Sequence, residues 1–573
     1  MGEKPADTET PVIIVGAGLA GLVAAHEAQK AGRQVLILDQ ENRANLGGQA
    51  YWSLGGLFYV GSPEQRLMGI RDSEELAWRD WRNSADYDDG DDGDDGDAGH
   101  DHWPRKWGRE YVRFAATEKR GYLRSLGLNV LPTVGWAERG SGDASGHGNS
   151  VPRFHLTWGT GPEVVRVFRE PLLEAEKRGT VRFAFRHRVD ELIVEDGAVT
   201  GVRGSVLVPC DDLGRGVASP REVVDTFEFR GAAVVVSSGG IGGDLDLVRR
   251  SWPTERWGEC PDDMVAGVPA HVDGRMIGIS TRAGASTVNT DRMWHYTEGM
   301  ANWDPVWPAH GIRIIPGPST LWFDAEGRRL PTNIFPGSDN LAALEHIGRT
   351  GHGYSWFVLD KTIADKEFIF SGSEQNPDLT DKSLRKLAGK IGPGTHVAVR
   401  NFMEHGEDWV IADDVETLVD GMNALTGDDA PVIDAGALRA QIEDRDSQLD
   451  NRFSKDAQVN YLGTARRFLG DKIVRAARPH RILDPAHGPL IAVRLRIVTR
   501  KTLGGIETDL SGRCLRSDGT VLPGLFAAGE AAGFGGGGMH GKNALEGTFL
   551  GGCIHSGKRV GEALGRGEER AGV

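Results

Sequence analysis

Cysteine is scarce in this chain: Cys210, Cys260, Cys514 and Cys553 lie far apart and form no CxxC pair. That excludes a disulfide framework and a cysteine-built zinc site, and fits reduced thiols in a cytoplasmic protein. Positive charge is also in deficit. With 66 Lys and Arg against 82 Asp and Glu the formal charge is −16, which argues against a nucleic-acid partner and gives no support for electrostatic attachment to lipid. No apolar run approaches the ~18 residues of a membrane helix, so no integral membrane segment is expected. The polar stretch Met1 to Thr10 has no basic part followed by an apolar one and reads as lacking a signal peptide. A soluble, cytoplasmic location is the resulting expectation. The Asp/Gly run from Asp88 to Asp97 lacks both the apolar residues of a calcium-binding coil and the closing Glu of a calcium loop. It reads as a solvated, mobile loop, and no metal site is expected.

What the chain has in excess is glycine. Its 80 glycines are about twice ordinary usage, and they cluster where apolar strands end. Val12-Ile-Ile-Val15 is a short β-branched run of the kind buried in parallel sheets, and it leads into Gly16-Ala-Gly18-Leu19-Ala20-Gly21. An Ala-rich helix follows, then a second strand, Val35-Leu-Ile-Leu38, that ends on Asp39 and Gln40. In this order Gly16 permits a tight turn, Gly18 lets backbone approach a pyrophosphate, and Gly21 lets helix pack on strand. The helix start offers unpaired N–H groups to phosphate, and Asp39 is placed to accept from a ribose diol. The fingerprint alone leaves NAD and FAD open. Further glycines at Gly47-Gly48-Gln49 and Ser53-Leu-Gly55-Gly56 suggest backbone wrapped around a long ligand, which favours FAD.

Along the chain, residues 133–161 are glycine- and aromatic-rich and read equally well as pocket wall or connector. A hairpin is expected around Val189, with strands over Arg188–Val194 and Val199–Val202 joined by Glu195-Asp-Gly197. Ala232 to Val236 is another buried strand ending on glycines, Ser238-Gly239-Gly240 among them. From about 291 to 483 the glycine-terminated strands disappear, and helical patterns appear over 338–348, 382–390, 414–425, 434–447 and 455–468. The α/β rhythm returns with Thr502-Leu-Gly-Gly505 and with Leu522 to Glu530, a strand ending on Gly529-Glu530. A glycine loop containing His540 leads to a C-terminal helix starting at Asn543-Ala-Leu545-Glu546-Gly-Thr548, whose positive end suits the N1/C2-carbonyl edge of a flavin.

These motifs resemble the FAD-binding dehydrogenases related to fumarate reductase flavoproteins and 3-ketosteroid dehydrogenases. The matching segments are Val15–Gly21, Gly47-Gly48, Ser53 with Gly55-Gly56, Ser238–Gly240, Thr502–Gly505 and Pro523–Glu530. The resemblance implies an α/β fold: a discontinuous Rossmann-like FAD-binding domain of the GR2 flavoprotein type, with an inserted α+β cap. Expected bounds are 8–290 and 484–573 for the FAD-binding domain and 291–483 for the cap. The resemblance further implies FAD held in an elongated pose and hydride transfer at flavin N5. It puts Asp39 at the ribose, Glu530 on the ribitol or pyrophosphate side, and Leu545 to Thr548 at the flavin edge. Gln49 stands where succinate dehydrogenases carry the flavin-linked His, so the FAD is expected to be non-covalent. Fumarate reductases carry an Arg after the Asn of the later glycine loop; here Ala544 follows Asn543, which argues against a dicarboxylate substrate.

Dehydrogenation next to a carbonyl needs a proton acceptor and a donor that stabilises the developing enolate. Lys501, His540, Tyr296 and Arg500 are the candidates of choice, with His295 and His155 weaker. The function expected is an FAD-dependent dehydrogenase acting on a CH–CH bond beside a carbonyl of a small apolar substrate, steroid-like molecules among them. Its electron acceptor is not identified by any residue. A flavin monooxygenase or amine oxidase is the second enzyme reading, and a non-catalytic electron-transfer flavoprotein is the third.

Overall fold

The computed structural model describes residues 10–88, 99–140, 146–383, 385 and 394–570. The Asp/Gly run beyond Asp88 and most of the helix expected over 382–390 lie outside the described residues.

Two sheets carry the architecture. The first is six-stranded. At its centre β1 (Val12–Val15) pairs in parallel with β2 (Val35–Asp39) on one side, and β2 with β3 (Val181–Phe185). On the other side β1 pairs in parallel with β4 (Ala233–Val236), and β4 with a strand from the far end of the chain, Val521–Ala527. Arg513–Leu515 closes that edge antiparallel. Burial on both faces explains the unbroken β-branched runs: Val12, Ile13, Ile14 and Val234 to Val236 have no exposed surface.

The two chain ends also meet through helices. α1 (Leu19–Lys30) is buried nearly all round because the sheet covers one side and the C-terminal helix, Thr548–Gly565, the other. Close approach depends on glycines spaced four apart along that last helix. A Cβ at Gly557 would stand 2.5 Å from Ala20 O; at Gly561, 2.7 Å from Ala24 O; at Gly565, 2.7 Å from Ala31 Cβ. Just past α1, the buried Arg33 donates to Leu564 O at 3.2 Å and to Glu569 at 2.8 Å, fastening the same pair of ends.

The second sheet has eight strands and its own core of Trp322, Trp356, Phe357, Phe402 and Leu418 under a layer of helices. It contains β5 (Met293–Ala301) and β6 (Gly311–Ile315), which pair antiparallel. Its axis is the 13-residue strand Leu490–Thr502, paired with β5, Tyr354–Asp360, Val265–Ala266 and Trp409–Ala412. The segment just after 484 therefore enters the second sheet, and only its last residues reach the first. There Thr502 accepts from Ile241 N through Oγ1 at 2.8 Å and donates its own N–H to Glu530 at 2.9 Å. No described helix is long and apolar enough to cross a membrane.

Candidate active site

A long cleft runs from the β1–α1 turn to the junction of the two sheets. At the first end three glycines have three separate physical reasons. Gly16 sits at φ +104°, and a Cβ there would stand 2.7 Å from Ser237 O. Gly21 faces Ser237 Oγ at 2.5 Å and Ile14 Cγ2 at 3.1 Å. Gly18 is different: its φ of −73° suits any residue and the nearest protein atom to a Cβ would be 3.8 Å away. The protein leaves room there. Gly47 and Gly48 are left-handed (φ +99° and +54°), and Gly47 lies against Gly18, donating to Ala17 O at 2.8 Å.

Asp39 lines the cleft while accepting from Ala17 N and Glu41 N, each at 2.8 Å. Burial pushes its carboxyl up. Each oxygen retains a lone pair, so the acid can buttress the turn and still accept from a diol. Leu19, Ala20, Gln40, Gln49, Ser53, Gly55, Gly56, Val189, Ser238 and Gly239 also line the cleft. Gly21, Gly240, Gly529, Asn543, Leu545 and Thr548 do not. Gly21 and Gly240 are packing positions, and Thr548 turns inward, its hydroxyl donating to Leu545 O. Elongated shape, backbone left open at Gly18, and a first helical turn of Thr548–Gly565 without a side-chain cap all fit a dinucleotide that brings its own phosphates.

At the other end Lys501, Gln49 and Glu530 form a network. Lys501 Nζ donates to Gln49 Oε1 and stands 3.8 Å from Glu530, and Gln49 donates to the same carboxylate. Burial holds the Lys501 ammonium below its ordinary range, with the Glu530 charge opposing. Tyr296 enters from β5, where it pairs with Val498 between two register shifts that flank this short stretch of the ladder. The guanidinium of Arg313 on β6 lies 3.7 Å over its ring. Arg313 in turn pairs with Glu546 at 2.6 Å and Glu298 at 3.3 Å. Burial, together with the hydrogen-bonded Glu546 carboxylate, pushes the Tyr296 hydroxyl far up. It is therefore a held proton donor and not a phenolate.

The three histidines are elsewhere. His540 does not reach the cleft: it is buried, stacks on Trp81 at 5.3 Å, touches Phe534 and Phe549, and its Nε2 meets Thr548 Oγ1 at 3.0 Å. Burial drives it down to about 3, so it is neutral. Its glycine loop is beside the helix tip as expected, but the side chain turns to an aromatic core. His295 faces Trp252 and Trp257, and His155 binds Ser62 and the Arg153 carbonyl. Arg313 and Ser371 had no local signal; they reach the cleft only through pairing within the second sheet, and Glu298 stands behind Arg313. Arg500, beside Lys501, lines the cleft and donates to Gly267 O.

Comparison with known proteins agrees with this geometry. The chain is 58% identical over 542 residues to the KsdD-like steroid dehydrogenase of Mycolicibacterium smegmatis, covering 95% of this chain and 96% of that protein. Among solved structures it resembles 3-ketosteroid Δ1-dehydrogenase from Sterolibacterium denitrificans (TM-score 0.67, 16% identity, 97% of this chain and 99% of that one). It also resembles the open conformation of a flavocytochrome c3 fumarate reductase (TM-score 0.61, 20% identity, 98% and 79%). At such identities these two structures speak for the fold alone. The family profile described as FAD binding domain matches residues 11–550. With that match over nearly the whole chain, and a cleft built for a dinucleotide, this protein belongs to the FAD-binding domain family and its cofactor is FAD.

Proposed function

We propose that the protein is an FAD-dependent dehydrogenase acting on a CH–CH bond next to a carbonyl of a steroid-like substrate. The observation that carries the reading is Tyr296, pinned between Arg313 and Glu546 at the end of the cleft opposite the phosphate turn. Support for the substrate class comes from the relative at 58% identity named a steroid dehydrogenase. The Gly16–Ala20 turn, Asp39, Glu530 and the start of the last helix would hold FAD, which would supply a hydride acceptor there.

The chain's own residues supply proton handling and position. Tyr296 keeps its proton at neutral pH, and its single O–H, turning from Glu546 to the carbonyl oxygen, donates there as negative charge develops. Arg313 fixes the ring from above, and Glu546 holds the hydroxyl side. Lys501, whose charged form is disfavoured by burial, is the proton acceptor. Such a donor contributes on the order of 10²- to 10³-fold. Tyr296→Phe is thus expected to lower the rate at which 3-oxosteroids bleach the flavin absorbance anaerobically by about that factor, with FAD content unchanged. A Tyr296→Phe enzyme that bleaches at the wild-type rate would end the assignment.

A further inference from the structure

Among the described residues, four arginines and one lysine line the cleft, and four of these five have a carboxylate. Arg188 has Asp190 at 2.9 Å, Arg275 has the same Asp190 at 2.5 Å, Arg313 has Glu546 at 2.6 Å, and Lys501 has Glu530 at 3.8 Å. Arg500 is the exception. Among the described residues no carboxylate comes within ion-pair distance of it, and its recorded hydrogen bond goes to a neutral carbonyl, that of Gly267. Only partly exposed, it carries part of a desolvation cost with no opposite charge to offset it.

Its direction separates it from the network around Lys501. Successive residues of a strand face opposite ways. Lys501 turns toward Gln49 and Glu530, which belong to the FAD cradle. The Arg500 charge is felt by Lys501 beside it and also by Tyr296, His310 and Glu374, the last three on elements of the second sheet or its connections. Glu374 makes no ion pair with it and is only partly ionised at neutral pH. Burial raises that carboxyl to about 7, and its Oε2 has no hydrogen-bond partner. His310, pushed down to about 3, is neutral and adds no negative charge.

We propose that Arg500 is a specificity residue that takes an anionic group, a carboxylate, carried by the substrate itself. This deepens the steroid-like reading above and rests on it: the substrate class becomes an apolar ring system bearing an acidic side chain, not a neutral steroid. The site would pair a planar guanidinium with a carboxylate, which Arg does in bidentate fashion. It differs from a dicarboxylate clamp in having one cation free, not several.

The test uses the holoenzyme and a matched pair of probes, a 3-oxo-4-ene steroid with a side-chain carboxylate and its methyl ester. Anaerobic perturbation of the flavin spectrum gives the dissociation constant of each, and bleaching gives turnover. Wild type is expected to bind the acid about tenfold or more tighter than the ester. In Arg500→Gln the acid-to-ester ratio should fall to near one while FAD stays stoichiometric, and Arg500→Lys should restore part of the preference. Equal binding of acid and ester by wild type, or a preference that survives Arg500→Gln, overturns the inference. Loss of FAD in Arg500→Gln also overturns it, by assigning the charge to the cofactor. Failure of the two readings is separable. Turnover of the ester as good as that of the acid keeps the dehydrogenase and rejects the anion site; Arg500-dependent binding of the acid without turnover keeps the anion site and rejects the reaction.

Discussion

Gly18→Ala is the substitution that best separates a ligand's demand from the fold's. In the protein alone an added Cβ at 18 meets nothing nearer than Ser237 O at 3.8 Å, and φ −73° is open to alanine. Replacing Gly at a compatible position stabilises by about 0.4–1 kcal/mol through the unfolded chain, while Ala is a poorer helix N-cap than Gly by a comparable amount. Stability without FAD should therefore stay within about 1 kcal/mol of wild type. Binding should not. The methyl occupies the face that pyrophosphate must approach, and losing one charge-assisted hydrogen bond costs about 1.5–3 kcal/mol, or roughly 10- to 100-fold in affinity. At FAD equal to 100 times the wild-type dissociation constant, linkage gives wild type about 2.7 kcal/mol of stabilisation. A 100-fold weaker variant keeps about 0.4 kcal/mol under the same conditions. Gly21→Ala is the control, since its Cβ would collide with Ser237 Oγ and Ile14 whether or not FAD is present. Denaturation of the flavin-stripped protein with and without added FAD, beside a fluorescence titration of flavin, reads both quantities. The reasoning fails if Gly18→Ala is destabilised without FAD as much as Gly21→Ala, or if it binds FAD like wild type.

Two further outcomes are expected. Glu374 ionises near 4.5 when unfolded and at about 7 when folded. Between those values the folded state alone keeps the proton, so this group's contribution makes stability fall as pH rises, with the deficit complete above pH 7. Glu374→Gln should match wild type below pH 4.5 and exceed it by up to about 3 kcal/mol at pH 8, read by urea denaturation across pH; a constant difference at all pH values would refute it. Gly561→Leu should cost on the order of 1–3 kcal/mol by forcing the last helix off α1, where Ala24 O and Glu27 Cβ stand 2.7 and 2.6 Å from the new Cβ. An unchanged melting temperature would show that the two helices have slack.

Legibility followed the range of the interactions. The Gly16–Gly21 turn and Asp39 were readable because a strand, a turn and a helix adjacent in sequence make that part of the site. Lys501 and Glu530, both in the cleft lining, could be singled out because each sits in a glycine motif with a fixed relation to a strand end. Arg313 could not: it lies on an ordinary antiparallel strand, and only its pairing with β5 brings it over Tyr296. His540 shows the opposite failure. Its loop was placed correctly, but sequence spacing does not say that the ring would stack on Trp81, more than 400 residues earlier in the chain. The strand Leu490–Thr502 is apolar enough for either sheet, and periodicity does not choose between two buried sheets.

The order of strands in the first sheet also governs how the molecule can be made. β4, central and buried, needs Val521–Ala527 as its outer neighbour, and α1 needs Thr548–Gly565 to cover it. A ribosome releases these partners hundreds of residues after β1 and α1. Until then the nascent N-terminal half exposes an unpaired apolar strand edge and the bare side of a helix, surfaces that invite association with other chains. Both partners must be synthesised before the final closure, so a chain cut short before about residue 520 would emerge as a client for chaperones or proteases and not as a smaller flavoprotein.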